Sequence, residues 1–343
     1  MTAAPTSPAP TSPARIAVMG SGSWGTAFAM VLSDAQNQVT LWARRPELAA
    51  TINAEHRNAD YFPTIALPDT LRAGSDPDEV MDGADFVVLA VPSQSLRANL
   101  AQWQIPGGAV VVSLAKGIEL GTGLRMSQVI AEAGAIEAER IAVVTGPNLA
   151  REIADRQPSA SVMASVDLTT AEALQAVCHT ARFRAYTNTD VVGCELAGAT
   201  KNVIALAVGM ATGLGLGANA TASVITRGLA ETSRLGAALG ADPYTFSGLA
   251  GLGDLVATCS SPLSRNRSFG EELGQGRTVA EITASTRQVA EGVKSCASIQ
   301  LLAAQHAVEM PIVQHVAAVI AGELTAKEMI TALMSRSAKP ERY

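Results

Sequence analysis

The chain has 343 residues, 48% of them hydrophobic, so it can bury a large core, and global disorder is excluded. Only 16% are charged, against roughly 25% in a typical soluble protein, which points to much surface hidden in a thick core or between subunits. Twenty-five Lys and Arg against 31 Asp and Glu give a net charge of −6, and with 4% aromatics this excludes a general nucleic-acid binder while leaving room for a local anion site.

Residues 1–13 (MTAAPTSPAPTSP) carry four prolines and nothing that buries much area, so a disordered tail is expected there. RIAVM (15–19) is a short apolar strand that runs into glycines, and TAFAMVLSDA after it reads as a helix. QVTLWA (38–43), DFVVLAVP (85–92), AVVVSLA (109–115) and IAVVTG (141–146) are further strands, with helical stretches such as SQSLRANLAQW and LRMSQVIAEAG between them. These runs are continuously apolar rather than alternating, as parallel strands covered on both faces must be. Strand and helix in alternation predict an α/β fold, a Rossmann-type doubly wound sheet, which SASVMAS (159–165) and RFRAYTN (182–188) extend.

After Asp190 the strand signal stops, and Ala- and Leu-rich segments predict an all-helical C-terminal domain. The expected organisation is a tail at 1–13, a dinucleotide-binding domain at 14–189 and a helical substrate domain at 190–343. From Asn202 to Thr226 no residue is charged, a run longer than the roughly 20 residues that cross a bilayer. Glycines, threonines and Asn219 interrupt it, no second such run exists, and a central helix wrapped by others is expected instead of a membrane span.

Gly20-Ser21-Gly22-Ser23-Trp24-Gly25 fits G-x-G-x-x-G between the first strand and the first helix. Gly20 permits the tight turn, Gly22 lets a pyrophosphate reach the backbone, and Gly25 lets the helix pack on the strand. Free N–H groups and the helix dipole then favour the anion. The second strand ends in Trp42-Ala43-Arg44-Arg45, where NAD-specific sites usually carry a carboxylate for the ribose 2′-OH. Two guanidinium groups suit a 2′-phosphate, so NADP(H) is the expected preference, with NAD(H) possible.

Lys116 and Gly146-Pro147-Asn148 each follow a strand, at the sheet edge where doubly wound folds bind ligands. Lys201 is the sole cation between Glu195 and Arg227, in an otherwise apolar helix, and must snorkel, pair with an acid or face a cavity. Burial would bring such a lysine toward the range useful in proton transfer. Asp254, in the Gly-rich GLAGLGDL, is a candidate partner. Ser264-Arg265-Asn266-Arg267 opens a helix with hydroxyl, guanidinium and amide donors, which suits either a phosphate or an ordinary cap. Cys178, Cys194, Cys259 and Cys296 form no C-x-x-C pair and the 4 histidines no H-x-x-x-H pair, so neither a disulfide framework nor a metal site is expected. The N-terminus lacks the pattern of a secretory signal, and a reducing cytoplasm is the expected compartment.

Taken together, GSGSWGTA (20–27), VLAVPSQ (88–94), SLAKGIE (113–119), GPNLA (146–150), AGATKNVIALAVG (197–209), GLAGLGDLVATCSSPLSRNRSFG (248–270) and VAEGVKS (289–295) resemble the bacterial NAD(P)-dependent glycerol-3-phosphate dehydrogenases, in order and over nearly the whole chain. The resemblance implies reversible reduction of dihydroxyacetone phosphate to sn-glycerol 3-phosphate, supplying glycerophospholipid synthesis without a metal. It implies that Ser23, Trp24, Arg44, Arg45, Lys116, Ala150, Arg265, Val289 and Glu291 contact the dinucleotide. Lys116, Gly146, Asn148, Lys201, Asp254, Ser264, Arg265 and Asn266 would bind the substrate, with Lys201 as general acid and base. Asn148 and Leu149 stand where many relatives have Ser or Thr and Phe; Asn still donates and accepts hydrogen bonds.

A 3-hydroxyacid or 6-phosphogluconate-type dehydrogenase is disfavoured by RNRSFG and by the missing G-G-x-G-x-G loop after GPN. A dinucleotide sensor would not need Lys116, Lys201, Asp254 or Arg265, all of which are present. The expected partners are small-molecule substrates and a second copy of the chain in a homodimer, with no nucleic acid and no membrane.

Overall fold

The computed structural model describes residues 13–285, 290–337 and 340. The tail expected over 1–13 lies, Pro13 apart, outside the described residues, and so does Val289. The chain forms two compact units, one running to Lys116 and again over Leu124–Glu195, the other made of Gly117–Gly123 and the chain from Leu196 onward.

The first unit follows β1 (Arg15–Met19), α1 (Ser23–Asp34), β2 (Gln38–Trp42), α2 (Pro46–Glu55), β3 (Arg72–Gly74), α3 (Pro77–Met81), β4 (Phe86–Leu89) and α4 (Leu96–Leu100). It continues through β5 (Val110–Ser113), α5 (Met126–Gly134), β6 (Ile141–Thr145), α6 (Ala150–Ala154), β7 (Ser159–Ala164), α7 (Leu168–Cys178) and β8 (Phe183–Asn188). The eight strands make one sheet in the order β3-β2-β1-β4-β5-β6-β7-β8. The first six are parallel; β7 runs antiparallel to β6, and β8 parallel to β7.

The unbroken apolar runs have a direct cause. Val18, Val88, Val112 and Val144 pack with Phe28 in one core cluster, while their neighbours Ala17, Met19, Val87 and Val111 pack with Leu96 and Ile130 in another. Both faces of the sheet are therefore covered, and each selects mainly apolar residues. β3 escaped the sequence reading because it is three residues, RAG, paired to β2 alone. The strand order reverses between β1 and β4, so the turn after β1 opens at the switch point of the sheet.

From α8 (Val191–Gly213) onward the described residues are helical: α9 (Ala218–Ala238), α10 (Pro243–Ser247), α11 (Asp254–Ser260), α12 (Arg265–Gly274), α13 (Val279–Ser285), α14 (Glu291–Gln305), α15 (Pro311–Ala321) and α16 (Ala326–Met334). A Cβ on Gly209 would stand 2.0 Å from the Arg267 carbonyl oxygen, and one on Gly270 2.1 Å from that of Leu206. The backbones of α8 and α12 thus touch, and only glycine permits the crossing.

The single central helix expected over Asn202–Thr226 is corrected to two. Gly215 adopts φ +77, and Leu216 N–H donates to the Ala211 carbonyl, which closes α8 before α9 begins. The uncharged run also changes environment there, because Gly215–Asn219 are exposed. Among the described residues α8 is long and apolar enough to cross a membrane, and 94% of its most apolar window is buried inside the protein.

Candidate active site

The glycine turn connects β1 to α1 with no side chain capping the helix. Gly20 takes φ +138, and a Cβ there would meet the Ala90 carbonyl oxygen at 2.5 Å; one on Gly25 would meet the Gly20 oxygen at 2.0 Å. A Cβ on Gly22 would meet nothing within 4 Å. The outer two glycines are thus demanded by packing, and the middle one faces open space beside the unsatisfied N–H groups of the first helical turn. The buried Trp24 Nε1 has no partner among the described residues. Open space, free N–H groups and an orphaned donor fit the pyrophosphate of a dinucleotide. A depression of about 360 Å³ lined by Ser33, Asn37, Val39 and Arg72 lies at the other ends of α1 and β2, away from every candidate residue.

Met19 pairs with Trp42, so the end of β2 lies beside the glycine turn, and Arg44 and Arg45 follow it. Arg45 starts α2 and forms an ion pair with Asp60, whereas the exposed Arg44 has no ion pair among the described residues.

Three candidates meet beyond β5 and β6. Lys116 Nζ donates to the Gly146 carbonyl at 3.1 Å, and Ser161 Oγ on β7 donates to Asn148 Oδ1. Asn148 Nδ2 and the nearby Thr145 Oγ1 are buried without partners among the described residues. The antiparallel β7 supplies the serine that orients Asn148. Ala150 opens α6.

In the second unit, Thr200, Lys201 and Asn202 interrupt the apolar α8. Successive helical residues turn by about 100°, and each of these side chains reaches a different helix. Thr200 Oγ1 accepts from Thr232 of α9 at 3.0 Å. Lys201 Nζ donates to Asp254 Oδ1 and, at 2.8 Å, to Thr258 Oγ1, both on α11. Asn202 Oδ1 accepts from Asn266 Nδ2 of α12 at 2.9 Å. Lys201 is 8% exposed and Asp254 1%, so of the readings open to a lone lysine, pairing with an acid is the one realised. A π-type turn over Leu249–Gly253 delivers Asp254. Gly251 is required in it, since a Cβ there would stand 2.1 Å from the Phe246 oxygen. Burial pushes the neighbouring Cys259 thiol up to about 12 despite the Lys201 charge, so it is not a nucleophile at neutral pH.

Ser264 caps α12, its hydroxyl accepting from Arg267 N–H at 3.3 Å. Asn266 faces inward: besides its bond to Asn202, its Oδ1 accepts from Gly292 N–H at 2.9 Å. Glu291 begins α14 next to that bond. Arg265 occupies the first position of α12.

Sequence reasoning missed Thr258, Asn202 and Asp60. Thr258 lies four residues after Asp254 on one helix face, a spacing that could have revealed it. Asn202 and Asp60 carry no such local signal.

The family model described as NAD-dependent glycerol-3-phosphate dehydrogenase N-terminus matches residues 15–171, and its C-terminal counterpart matches 190–331. Glycerol-3-phosphate dehydrogenase [NAD(P)+] of Streptomyces griseus is 60% identical, covering 97% of this chain and 99% of its own length. The enzyme of the same name from Corynebacterium glutamicum is also 60% identical, over 95% of this chain and 99% of its own. The crystal structure of glycerol-3-phosphate dehydrogenase from Coxiella burnetii superposes with a TM-score of 0.89 at 36% identity, covering 94% of this chain and 99% of that one. Both the sequence and the shape of this chain are thus shared with these proteins over nearly its whole length: the chain belongs to the NAD-dependent glycerol-3-phosphate dehydrogenase family.

Proposed function

We propose that this chain catalyses the reversible, NAD(P)H-dependent reduction of dihydroxyacetone phosphate to sn-glycerol 3-phosphate. The observation that carries this reading is the buried Lys201 held between Asp254 and Thr258. An ammonium has three donors, and these two partners take two of them. The third is left for the substrate's C2 oxygen, which Lys201 polarises and protonates in reduction; in the reverse direction its neutral amine accepts the C2 hydroxyl proton. Bound dinucleotide supplies the hydride that arrives at C2. Ser23, Trp24, Arg44, Lys116 and Ala150 would hold the dinucleotide in the first unit, and Arg265 and Glu291 in the second. Lys116, Gly146 and Asn148 would contact the substrate. Ser264 and Asn266 are engaged in capping and bridging. The substrate phosphate would be held by Ser264, Arg265 and Asn266 together with the N–H groups that open α12.

The proposal includes a preference for NADPH, supported by Arg44, and a cytoplasmic supply of glycerol 3-phosphate to phospholipid synthesis. It also includes a homodimer, supported by the low charge content and by the exposed, uncharged start of α9, and read as twice 35.3 kDa in sedimentation equilibrium. The deciding experiment follows NADPH absorbance with purified protein. Oxidation on adding dihydroxyacetone phosphate, and none with 2-oxo acids, is expected; the converse would overturn the reading.

A further inference from the structure

The end of β2 lacks a carboxylate in sequence, but the fold delivers one from elsewhere. Asn58 is fully buried; its Nδ2 donates to the Ser21 carbonyl of the glycine turn at 2.9 Å and to Thr26 Oγ1 of α1 at 2.8 Å. The same asparagine shapes the turn that follows it, its Oδ1 accepting from Asp60 N–H at 3.3 Å and its backbone bridging to Phe62. Phe62 is 1% exposed and anchors the far side of this turn in the core. The five-residue turn Asn58–Phe62 is thus bolted directly onto the phosphate-binding glycine turn, and from its tip Asp60 reaches Arg45. Asp60 and Arg45 keep 43% and 57% of their side-chain surface exposed, so the pair is within reach of a ligand. Among the described residues only Oδ2 of the Asp60 carboxylate is occupied, and Arg44, next to Arg45 in the chain, carries no opposing acid.

We propose that Asp60 is the coenzyme-selectivity residue of this chain. Its free carboxylate oxygen accepts the ribose 2′-OH of NAD(H), and by neutralising Arg45 it leaves Arg44 as the unopposed member of the arginine pair for the 2′-phosphate of NADP(H). The two arginines that end β2 are therefore not equivalent. One serves the phosphorylated coenzyme, and the other orients the acid that serves the unphosphorylated one. This is a means of accepting both coenzymes at one position: the acid that dinucleotide folds usually carry at the second strand is supplied by a turn and paired with the second of two consecutive arginines.

The inference rests on the reading of the first unit as an NAD(P)-binding one, and its test separates the two. Calorimetric titration with 2′,5′-ADP and with 5′-AMP reads the subsite without turnover, and kcat/KM for NADPH and NADH reads it in the working enzyme. Asp60→Asn is expected to weaken 5′-AMP and NADH and to strengthen 2′,5′-ADP and NADPH, moving the NADPH/NADH ratio of kcat/KM up by about tenfold, the size of one charge-assisted hydrogen bond. Arg44→Ala should move the ratio the opposite way, and Arg45→Ala should fall between the two. Unchanged ratios in Asp60→Asn, with a wild type that binds both nucleotides, would overturn the selectivity role alone. So would an equal gain for both nucleotides, which is what a merely repulsive charge gives. A wild type that binds neither fragment nor either coenzyme would overturn the dehydrogenase reading and this inference with it.

Discussion

Three adjacent residues of α8 show how much one turn of helix can organise. Thr200, Lys201 and Asn202 each fasten a different helix, so the lysine is fixed from two sides by bonds it does not itself make. Lys201→Met keeps the apolar stem and removes the ammonium, and Asp254 with Thr258 still closes a hydrogen bond of 3.3 Å across the gap. The variant is expected to lose at least the 10²–10⁴-fold that general acid–base catalysis contributes, with NADPH binding by fluorescence titration unchanged. Turnover above half of wild type would show that another group moves the proton. Lys201 was legible because a lone cation in an apolar helix needs an explanation that burial alone cannot give. Its partner Asp254 stood out by its glycines. Asn202 and Asp60 were illegible, because what defines them is a contact with Asn266, 64 residues away, and with the guanidinium of Arg45, across a turn whose shape no local pattern announces.

At the level of elements, hydropathy reads what is buried on both faces and little else. The parallel strands were legible for that reason, and the short edge strand β3 was not. The end of α8 was illegible in charge patterning, because the break at Gly215 carries no charge and its glycines resemble those that merely let α8 and α12 touch. Helix capping shows the same limit. Met310 precedes α15 and offers no cap; instead Glu231 of α9, 3% exposed, accepts from Ile312 N–H at 2.9 Å and from Val313 N–H at 3.4 Å. Burial lifts the Glu231 carboxyl to about 7, against those two bonds and the charges of Arg234 and Arg336, which favour ionisation. A carboxyl raised on folding contributes stability that is complete below its unfolded value near 4.5 and is lost as pH rises to about 7. That displacement corresponds to roughly 3 kcal/mol. Glu231→Gln keeps an acceptor for the helix and removes the titration. Urea unfolding from pH 4.5 to 8 should therefore show the wild type losing about that much relative to the variant. Parallel pH profiles would mean that the carboxylate is buried at no net cost.

Across the whole molecule, the first unit releases the chain at Lys116, takes it back at Leu124 and releases it again after Glu195. No composition shift marks the excursion over Gly117–Gly123, so this threading was invisible to a reading that follows strands and helices in order. One buried carboxylate ties the return to the second exit. Glu195, 5% exposed, accepts from Ser127 N–H at 2.7 Å, from Ser127 Oγ at 2.6 Å and from the Arg125 guanidinium, all at the start of α5. The Glu195 side chain is 3% exposed and that of Arg125 16%, so the carboxylate has no water as a substitute partner and the guanidinium has little. Removing one member of such a buried pair costs about 3–5 kcal/mol, because the other charge is left uncompensated. Glu195→Ala should accordingly lower the melting temperature by on the order of 10 °C, at about 2–4 °C per kcal/mol for a unit of this size. Arg125→Met should do the same with a smaller loss, since Ser127 still serves the carboxylate. The double variant should be far less destabilised than the sum of the two, with a coupling of about 1–3 kcal/mol in the direction of mutual rescue. Additive losses would mean that Arg125 and Glu195 act separately and that the two crossing segments are held by packing instead.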